Sequence, residues 1–258
     1  MTAVEVHAVV EGPADAPVLL LSNSLGSDLS MWDPQLPALA QRFRVVRYDT
    51  RGHGRSPAVP GDATIDDLTD DVVALLDRLG VERAHVAGLS IGGMTGLRLA
   101  VREPHRVASL AVLCSSAHTG NAEAWRERAH TARTRGTAVL AETVVGRWLT
   151  PPYAAAHPDL VARLRAMIAA ADDEGYAGCC AAIERMDQRP DLGAITVPTL
   201  VVSGAEDQAV PPEHQRLIAD GVPGARFLSL SPAAHLANLE QPEQVTRALI
   251  AHATGGTA

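Results

Sequence analysis

Short apolar runs alternate with helical patterns along this 258-residue chain, and that alternation constrains the fold more than any other feature. Several runs are apolar throughout, as strands buried on both faces of a sheet are. Strands that alternate with helices predict an α/β fold with a mostly parallel central sheet and helices on both faces. The runs are Val4–Val10, Pro17–Leu21, Arg44–Tyr48, His85–Ala87, Ser109–Cys114, Thr199–Val202 and Arg226–Leu230.

Three helical patterns belong to this core. Apolar residues between positions 65 and 79 share one helical stripe, which Gly80 ends. A second helix is expected from Ile91 to just before Pro104, and a last one over Gln241–His252. The first run, Val4–Val10, reads as an edge strand that forms a hairpin with the next strand.

One long segment interrupts the alternation. Between His118 and Asp191 only helical patterns occur. The segment is too long for a crossover and too regular for a loop, so it is interpreted as a helical cap, residues 118–191, inserted into a core of residues 1–117 and 192–258. A separate helical domain is the alternative. The predicted helices are Ala122–Arg135, Thr137–Trp148, Asp159–Ala170 and Glu174–Met186.

Composition excludes several classes of function. The net charge is −8 and the pI about 5.6, so electrostatics give no case for binding nucleic acid or an anionic membrane. No apolar run approaches the roughly 18 residues of a membrane span. No secretory signal is visible, and the three cysteines fit neither a disulfide framework nor zinc spacing. We therefore expect a cytoplasmic protein with reduced thiols. Oligomeric state is left open.

The sequence around Ser90 has the spacing of a nucleophile elbow, G-x-S-x-G, at positions 88–92. It follows a predicted strand and opens a predicted helix. A serine in this tight turn is exposed to substrate, and the helix N-terminus behind it can stabilise an oxyanion. The alternative is a glycine-rich turn with a capping serine.

A serine nucleophile needs a base and an acid. Among ten histidines, His235 stands out because it follows the last predicted strand, where the carboxyl edge of the sheet is expected. His53, in a G-H-G turn after another strand, is its rival. Two acids leave a strand at the same edge; Asp207 is favoured, with Glu206 as the alternative. The order Ser90, Asp207, His235 is that of α/β-hydrolases.

A second oxyanion donor is expected in the loop after Pro17–Leu21. By position it is the backbone N–H of Leu25, which would act together with the N–H of Ile91. Asn23 and Ser24 in the same loop either form its turn or help to order it.

Five stretches together resemble the α/β-hydrolase family. They are N-S-L-G-S-D-L-S-M-W at 23–32, R-Y-D-T-R-G-H-G-R-S at 47–56, G-L-S-I-G-G-M at 88–94, G-A-E-D-x-x-x-P at 204–211 and A-A-H-L-A-N-L-E-Q-P at 233–242. The N-S-L-G form and the cap sequence E-G-Y-A-G-C-C-A-A-I at 174–183 resemble 3-oxoadipate enol-lactonases. Ile91 departs from the pattern, since many relatives have Met there, but the contact is through backbone.

The resemblance implies an α/β-hydrolase fold and a serine hydrolase that opens 3-oxoadipate enol-lactone in the β-ketoadipate pathway of aromatic catabolism. It implies no metal and no organic cofactor. The substrate would be a small lactone that bears a carboxylate, for which the cap should supply a cation or several donors. The candidates are Arg133, Arg147 and Arg185, with Asn23, Trp148 and Met186 as further substrate contacts. Solvated surface arginines and a core tryptophan are the alternatives.

Two other functions fit the same pattern. A generic carboxylesterase or a cofactor-free haloperoxidase-like hydrolase would share the triad and differ in the cap. A non-catalytic receptor on this fold would keep the triad and bind a small ligand without turnover. Some relatives of the lactonase type are fused to a carboxymuconolactone decarboxylase, and whether this chain belongs to such a fusion is left open.

Overall fold

A computed structural model describes residues 3–256. Its strands form one seven-stranded sheet in the order β1-β3-β2-β4-β5-β6-β7. Every neighbouring pair is parallel except β1 with β3, so the predicted mostly parallel α/β sheet is confirmed. The strands are β1 Ala8–Glu11, β2 Val18–Ser22, β3 Arg44–Tyr48, β4 Ala84–Leu89, β5 Val107–Leu113, β6 Thr199–Gly204 and β7 Arg226–Leu230.

The pairing of the first strand differs from the prediction. β1 is an edge strand, but it pairs antiparallel with β3, with Ala8 opposite Tyr48. The predicted hairpin with β2 is wrong because both edges of β2 are already bonded, to β3 on one side and to β4 on the other.

The two faces of the sheet are covered by different helices. Leu19 and Leu21 of β2 belong to one apolar cluster, and Leu20 between them belongs to the other, as the alternation of a strand requires. The later turns of the helix Ile65–Arg78 (α2) belong to the cluster of Leu20 through Val72, Leu75 and Leu76, whereas the helix Pro242–Ala253 (α11) belongs to the cluster of Leu19. The helices outside the cap are α1 Leu36–Leu39, α2 Ile65–Arg78, α3 Ile91–Arg102, α9 Pro212–Gly221, α10 Ala237–Glu240 and α11 Pro242–Ala253.

Between β5 and β6 the described chain forms helices and no strand. The predicted single helix over Thr137–Trp148 is wrong. A 3₁₀ turn over Thr137–Leu140 and the short α5 replace it, and Gly146 ends the helical segment. A proline-initiated helix, α6, was not predicted. The cap helices are α4 Ala122–Arg135, α5 Ala141–Val145, α6 Pro151–Ala156, α7 Pro158–Ala170 and α8 Asp173–Arg185.

The cap rests on the loop that follows β3. Gly52 in that loop has φ +71°, and a Cβ placed on it would lie 2.4 Å from the Cα of Gly175 in α8. A Cβ on Gly175 would lie equally close to Gly52, at 2.4 Å. The N–H of Asp172, just before α8, donates to the Gly52 carbonyl at 2.9 Å. Core and cap backbones therefore touch without a side chain between them.

Within residues 3–256, no helix has the length and apolarity that a bilayer crossing requires. The three cysteines are buried and form no disulfide. Burial raises the pKa of Cys180 to about 12, so this thiol stays protonated at neutral pH.

Candidate active site

Ser90 occupies a strained turn between β4 and α3. Its φ is +57°, a region that a residue with a side chain adopts at a cost of about 1–3 kcal/mol. The turn depends on its flanking glycines. A Cβ on Gly88 would lie 2.1 Å from the carbonyl oxygen of Gly92, and a Cβ on Gly92 would lie 2.5 Å from that of Ser22. This is the geometry of a nucleophile elbow.

The elbow is anchored to the neighbouring strand. The Ser90 N–H donates to the carbonyl of Leu113 at 2.9 Å, and the Ser115 hydroxyl donates to the Ser90 carbonyl at 2.6 Å. Both partners belong to β5 or to the residues directly after it. The position of Ser90 is therefore set by hydrogen bonds of its own main chain, and its side chain takes no part in them.

His235 and Asp207 form a buried pair after β7 and β6. The imidazole Nδ1 lies 2.9 Å from Oδ2 of Asp207. The other carboxylate oxygen, Oδ1, accepts the N–H groups of Ala209 and Val210, both at 2.9 Å. One oxygen thus fixes the carboxylate, and the other lies within hydrogen-bond distance of Nδ1 of His235, the arrangement that the prediction of an acid and a base requires.

The two alternatives to this pair lack its contacts. The side chain of Glu206 is exposed, whereas Asp207 is buried. The Nδ1 of His53 bonds the carbonyl of Arg51 at 3.0 Å, so no acid orients that ring. Burial lowers the pKa of His53, which keeps the ring neutral.

Ser90 and His235 meet the same edge of the sheet, but no hydrogen bond joins their side chains in the described part of the chain. A short route of contacts connects them. Leu113, which accepts from Ser90, is followed by Cys114, whose sulfur lies 3.8 Å from the carbonyl of Ala234, next to His235. Ser90 and His235 therefore lie on loops that the end of β5 connects, and their direct proton transfer stays a prediction.

The N–H groups of Leu25 and Ile91 are both free. Neither donates to an acceptor among residues 3–256, although both residues are buried. Ile91 is the first residue of α3, where the helix leaves N–H groups without partners. Both N–H groups therefore keep their capacity to donate, and the prediction that they bind an oxyanion stays a prediction.

The side chain of Asn23 holds the loop that carries Leu25. Its Nδ2 donates to the carbonyl of Tyr48 at 2.7 Å, and its Oδ1 accepts from Nε1 of Trp32 at 3.1 Å. Its carbonyl accepts the Gly92 N–H at 3.1 Å, which ties the loop to the elbow. With both amide atoms bonded to protein, Asn23 orders the loop, as one of its expected roles requires, and its expected contact with substrate stays a prediction.

The proposed cap contacts fall into two groups. Trp148 is close to the site, since its ring would lie 3.8 Å from a Cβ on Gly26 and its carbonyl accepts the Leu236 N–H at 2.9 Å. Arg133 and Arg185 instead both pair with Asp62. Arg147 is exposed.

Met186 belongs to the second group. Its sulfur accepts from Nε2 of Gln188 at 3.2 Å, and its carbonyl bonds Nδ1 of His118 at 3.1 Å. These contacts lie within the cap and its connection to the core. Of the cap residues expected to bind substrate, the structure brings only Trp148 next to the loop of Leu25.

Glu240 was not identified from the sequence, although it lies in the quoted stretch 233–242. Its carboxylate is buried and accepts three bonds: from the N–H of Ala234 at 2.5 Å, and from the N–H and hydroxyl of Thr150 at 3.0 and 2.6 Å. Ala234 precedes His235, and Thr150 follows α5. One carboxylate therefore joins the loop of the base to the cap. An acid two residues before a proline in an apolar helix was the available signal.

No group of three or more His, Cys, Asp or Glu side chains in residues 3–256 is arranged to hold a metal ion.

Comparisons with known proteins identify the family of the chain. A family model described as "alpha/beta hydrolase fold" matches residues 17–242. The chain is 39% identical over 238 residues to 3-oxoadipate enol-lactonase 2 of Acinetobacter baylyi, covering 92% of this chain and 89% of the relative.

Two solved structures are also similar. The enol-lactonase from Burkholderia xenovorans LB400 has a TM-score of 0.94 and 43% identity, with 96% of each chain covered. A thermophilic esterase from Thermogutta terrifontis has a TM-score of 0.89 and 32% identity, covering 96% of this chain and 92% of the other.

Proposed function

The chain belongs to the alpha/beta hydrolase fold family, and from this we propose that it is a serine hydrolase that opens 3-oxoadipate enol-lactone to 3-oxoadipate. It is a hydrolase of ester bonds, similar over nearly its whole length to enol-lactonases. The observation that carries the serine mechanism is the buried bond between His235 and Asp207, 2.9 Å long, at the sheet edge that also carries the strained Ser90.

In the first half-reaction, Nε2 of His235 takes the hydroxyl proton of Ser90 as Oγ attacks the lactone carbonyl carbon. The carbonyl oxygen becomes an oxyanion, which the N–H groups of Leu25 and Ile91 bind. The ring C–O bond then breaks. The enol oxygen leaves with the electron pair and receives the proton from His235, and the enol ketonises, which makes the step hard to reverse.

In the second half-reaction, His235 takes a proton from water, whose oxygen attacks the acyl-enzyme. The same two N–H groups bind the second oxyanion. The Ser90–acyl bond breaks and the proton returns to Oγ, which releases 3-oxoadipate and restores the free serine. No electron donor or acceptor is needed. The place of this reaction in aromatic catabolism belongs to the proposal as well.

The test is a lactonase assay of the wild type beside Ser90→Ala. We expect the wild type to consume the enol-lactone and the variant to lose at least about three orders of magnitude in kcat. Ser229→Ala is a matched control, because Ser229 is exposed on β7, away from the elbow. A Ser90→Ala variant with near wild-type turnover would remove Ser90 from the mechanism.

A carboxylesterase is the second candidate, since the similar Thermogutta protein is an esterase. Turnover of simple aryl esters without any activity on the enol-lactone would favour it. Failure to turn over either substrate, with tight binding of a small ligand, would favour a receptor.

A further inference from the structure

Arg128 differs from the other arginines of the cap. Residues 118–191 contain nine arginines, and Arg128 in α4 is the only one of them that is not exposed when the whole residue is considered. Five of the others pair with a carboxylate: Arg126, Arg133, Arg165, Arg185 and Arg189. Arg128 pairs with none in the described part of the chain. A partly buried cation without a counter-ion is costly, so its retention calls for an anion from outside the protein.

The contacts of Arg128 are aromatic. Its guanidinium carbon lies 5.0 Å from the ring centre of Trp125 and 5.3 Å from that of Tyr176. Nε donates to the Tyr176 hydroxyl at 2.7 Å, as Nη2 also does. Nη1 donates no hydrogen bond within residues 3–256. The guanidinium is therefore fixed in place with donor capacity left over.

Tyr176 also has an unused donor. Its hydroxyl accepts from Arg128 but donates to no acceptor in residues 3–256, although the residue is fully buried. Burial raises the pKa of this phenol, so the proton stays on the oxygen at neutral pH. A buried O–H and a guanidinium N–H thus lie side by side, both without an acceptor.

Tyr176 also contacts the loop that carries Leu25. Its Cε2 would lie 3.2 Å from a Cβ on Gly26, the residue after Leu25. Ile168 and Trp148 surround the same point, at 3.1 and 3.8 Å. One side of the Tyr176 ring therefore covers the oxyanion loop, and its hydroxyl reaches the guanidinium of Arg128.

Resting on the proposed function, we propose that Arg128 and Tyr176 together bind the free carboxylate of the substrate. The guanidinium supplies the charge and a forked donor, and the phenol supplies a second donor. A carboxylate bound there holds the acyl group over the N–H groups of Leu25 and Ile91. The class of ligand is a small ester or lactone with a carboxylate a few bonds from the reacting carbonyl. Arg133 and Arg185 already have a carboxylate partner and are not needed.

The experiment compares two aryl esters, mono-para-nitrophenyl glutarate, which carries a carboxylate, and para-nitrophenyl acetate, which does not. For Arg128→Gln, we expect the ratio of kcat/KM for the acidic ester to that for the neutral ester to fall about 10- to 100-fold, mostly through KM. Arg128→Lys should recover part of the ratio, because it restores charge without the fork. Tyr176→Phe should lower the ratio about 3- to 10-fold.

Arg126→Gln is the matched control. Arg126 lies two positions away on α4, is exposed and pairs with Glu184 at 2.7 Å, so the ratio should stay near that of the wild type. Inhibition by glutarate gives an independent readout, and its inhibition constant should rise in Arg128→Gln by a similar factor. An equal loss on both esters would assign Arg128 to cap structure, and an unchanged ratio would place it outside the site. Either result overturns the proposal.

Two assays distinguish a failure of the proposed carboxylate site from a failure of the proposed lactonase function. If the wild type opens the enol-lactone and the ratio is unchanged in Arg128→Gln, only the carboxylate site is wrong. If the wild type leaves the enol-lactone intact but the ratio falls, the carboxylate site stands and the natural substrate is a different acidic ester.

Discussion

The carboxyl edge of the sheet and the cap are built by different means. At the edge, Ser90 and Asp207 are held by main-chain bonds and by close approaches that admit only glycine at positions 88 and 92. In the cap, five of the nine arginines lie at the surface in ion pairs. Backbone geometry therefore fixes the positions of the proposed catalytic residues, whereas the proposed carboxylate site rests on single side chains such as Arg128.

The largest effect is expected from Asp207→Asn. The amide oxygen can still accept from Ala209 and Val210, but it no longer stabilises the charged imidazole, so kcat should fall by about 10⁴ with little loss of fold. Steady-state kinetics on the enol-lactone measures this. Glu206→Gln, at the exposed neighbour, should stay close to wild type. A less than tenfold loss of kcat in Asp207→Asn would contradict the prediction that catalysis depends on this carboxylate.

The second largest effect concerns the stability of the loop after β3, against which the cap packs. Arg51 precedes Gly52 and is buried, and its Nε and Nη2 bond the Asp71 carboxylate at 2.6 and 2.7 Å. Arg51→Met leaves that carboxylate buried without its cation, so the free energy of unfolding should fall by about 3–5 kcal/mol. Chemical denaturation provides the measurement.

Arg55→Met serves as its control, because Arg55 is exposed in the same loop and should cost less than about 0.5 kcal/mol. If the free energy of unfolding falls by the same amount in both variants, the buried pair of Arg51 and Asp71 contributes no more to stability than the exposed Arg55.

The smallest effect is expected from Arg133→Gln at the cap surface. Arg133 bonds Asp62 at 2.7 Å, with about a third of each side chain exposed, so the loss should not exceed about 1 kcal/mol. The hydrogen bond from Arg133 lowers the pKa of Asp62. The stabilisation is therefore present above the unfolded pKa of Asp62, near 3.8, and is lost as pH falls through the lower folded value.

Denaturation of wild type and Arg133→Gln at pH 7 and at pH 2 tests this. The difference between the two proteins should shrink at the lower pH. A difference that grows on acidification would contradict the assignment of the pair.

The fold followed from the sequence because six of the seven strands are parallel and read as short apolar runs. The candidate site residues could be predicted for the same reason, because Ser90, Asp207 and His235 each follow a predicted strand. The pairing of β1 could not be predicted, because the sequence of an edge strand does not indicate which strand it pairs with. The break at Gly146 and the short α6 lie below the length at which helical periodicity is visible.

The contacts that sequence reasoning missed join residues far apart in the chain. Glu240 bonds Thr150 across 90 positions, and Arg128 bonds Tyr176 across 48. The sequence shows only that an arginine lies on a predicted cap helix, so Arg133, Arg147 and Arg185 were the predicted candidates. Only the folded chain distinguishes an arginine with a carboxylate partner from one without.

The contact between Gly52 and Gly175 has a consequence for divergence within the family. A side chain at Gly52 would collide with the backbone at Gly175, and a side chain at Gly175 would collide with the backbone at Gly52. Side chains at both positions would worsen the collision, so a second substitution at the partner position cannot compensate for the first. A cap transplanted from a relative would seat on this core only if it brings a residue without a Cβ to that point. Substitutions in and around α4 can therefore change specificity, whereas the contact between Gly52 and Gly175 admits no side chain.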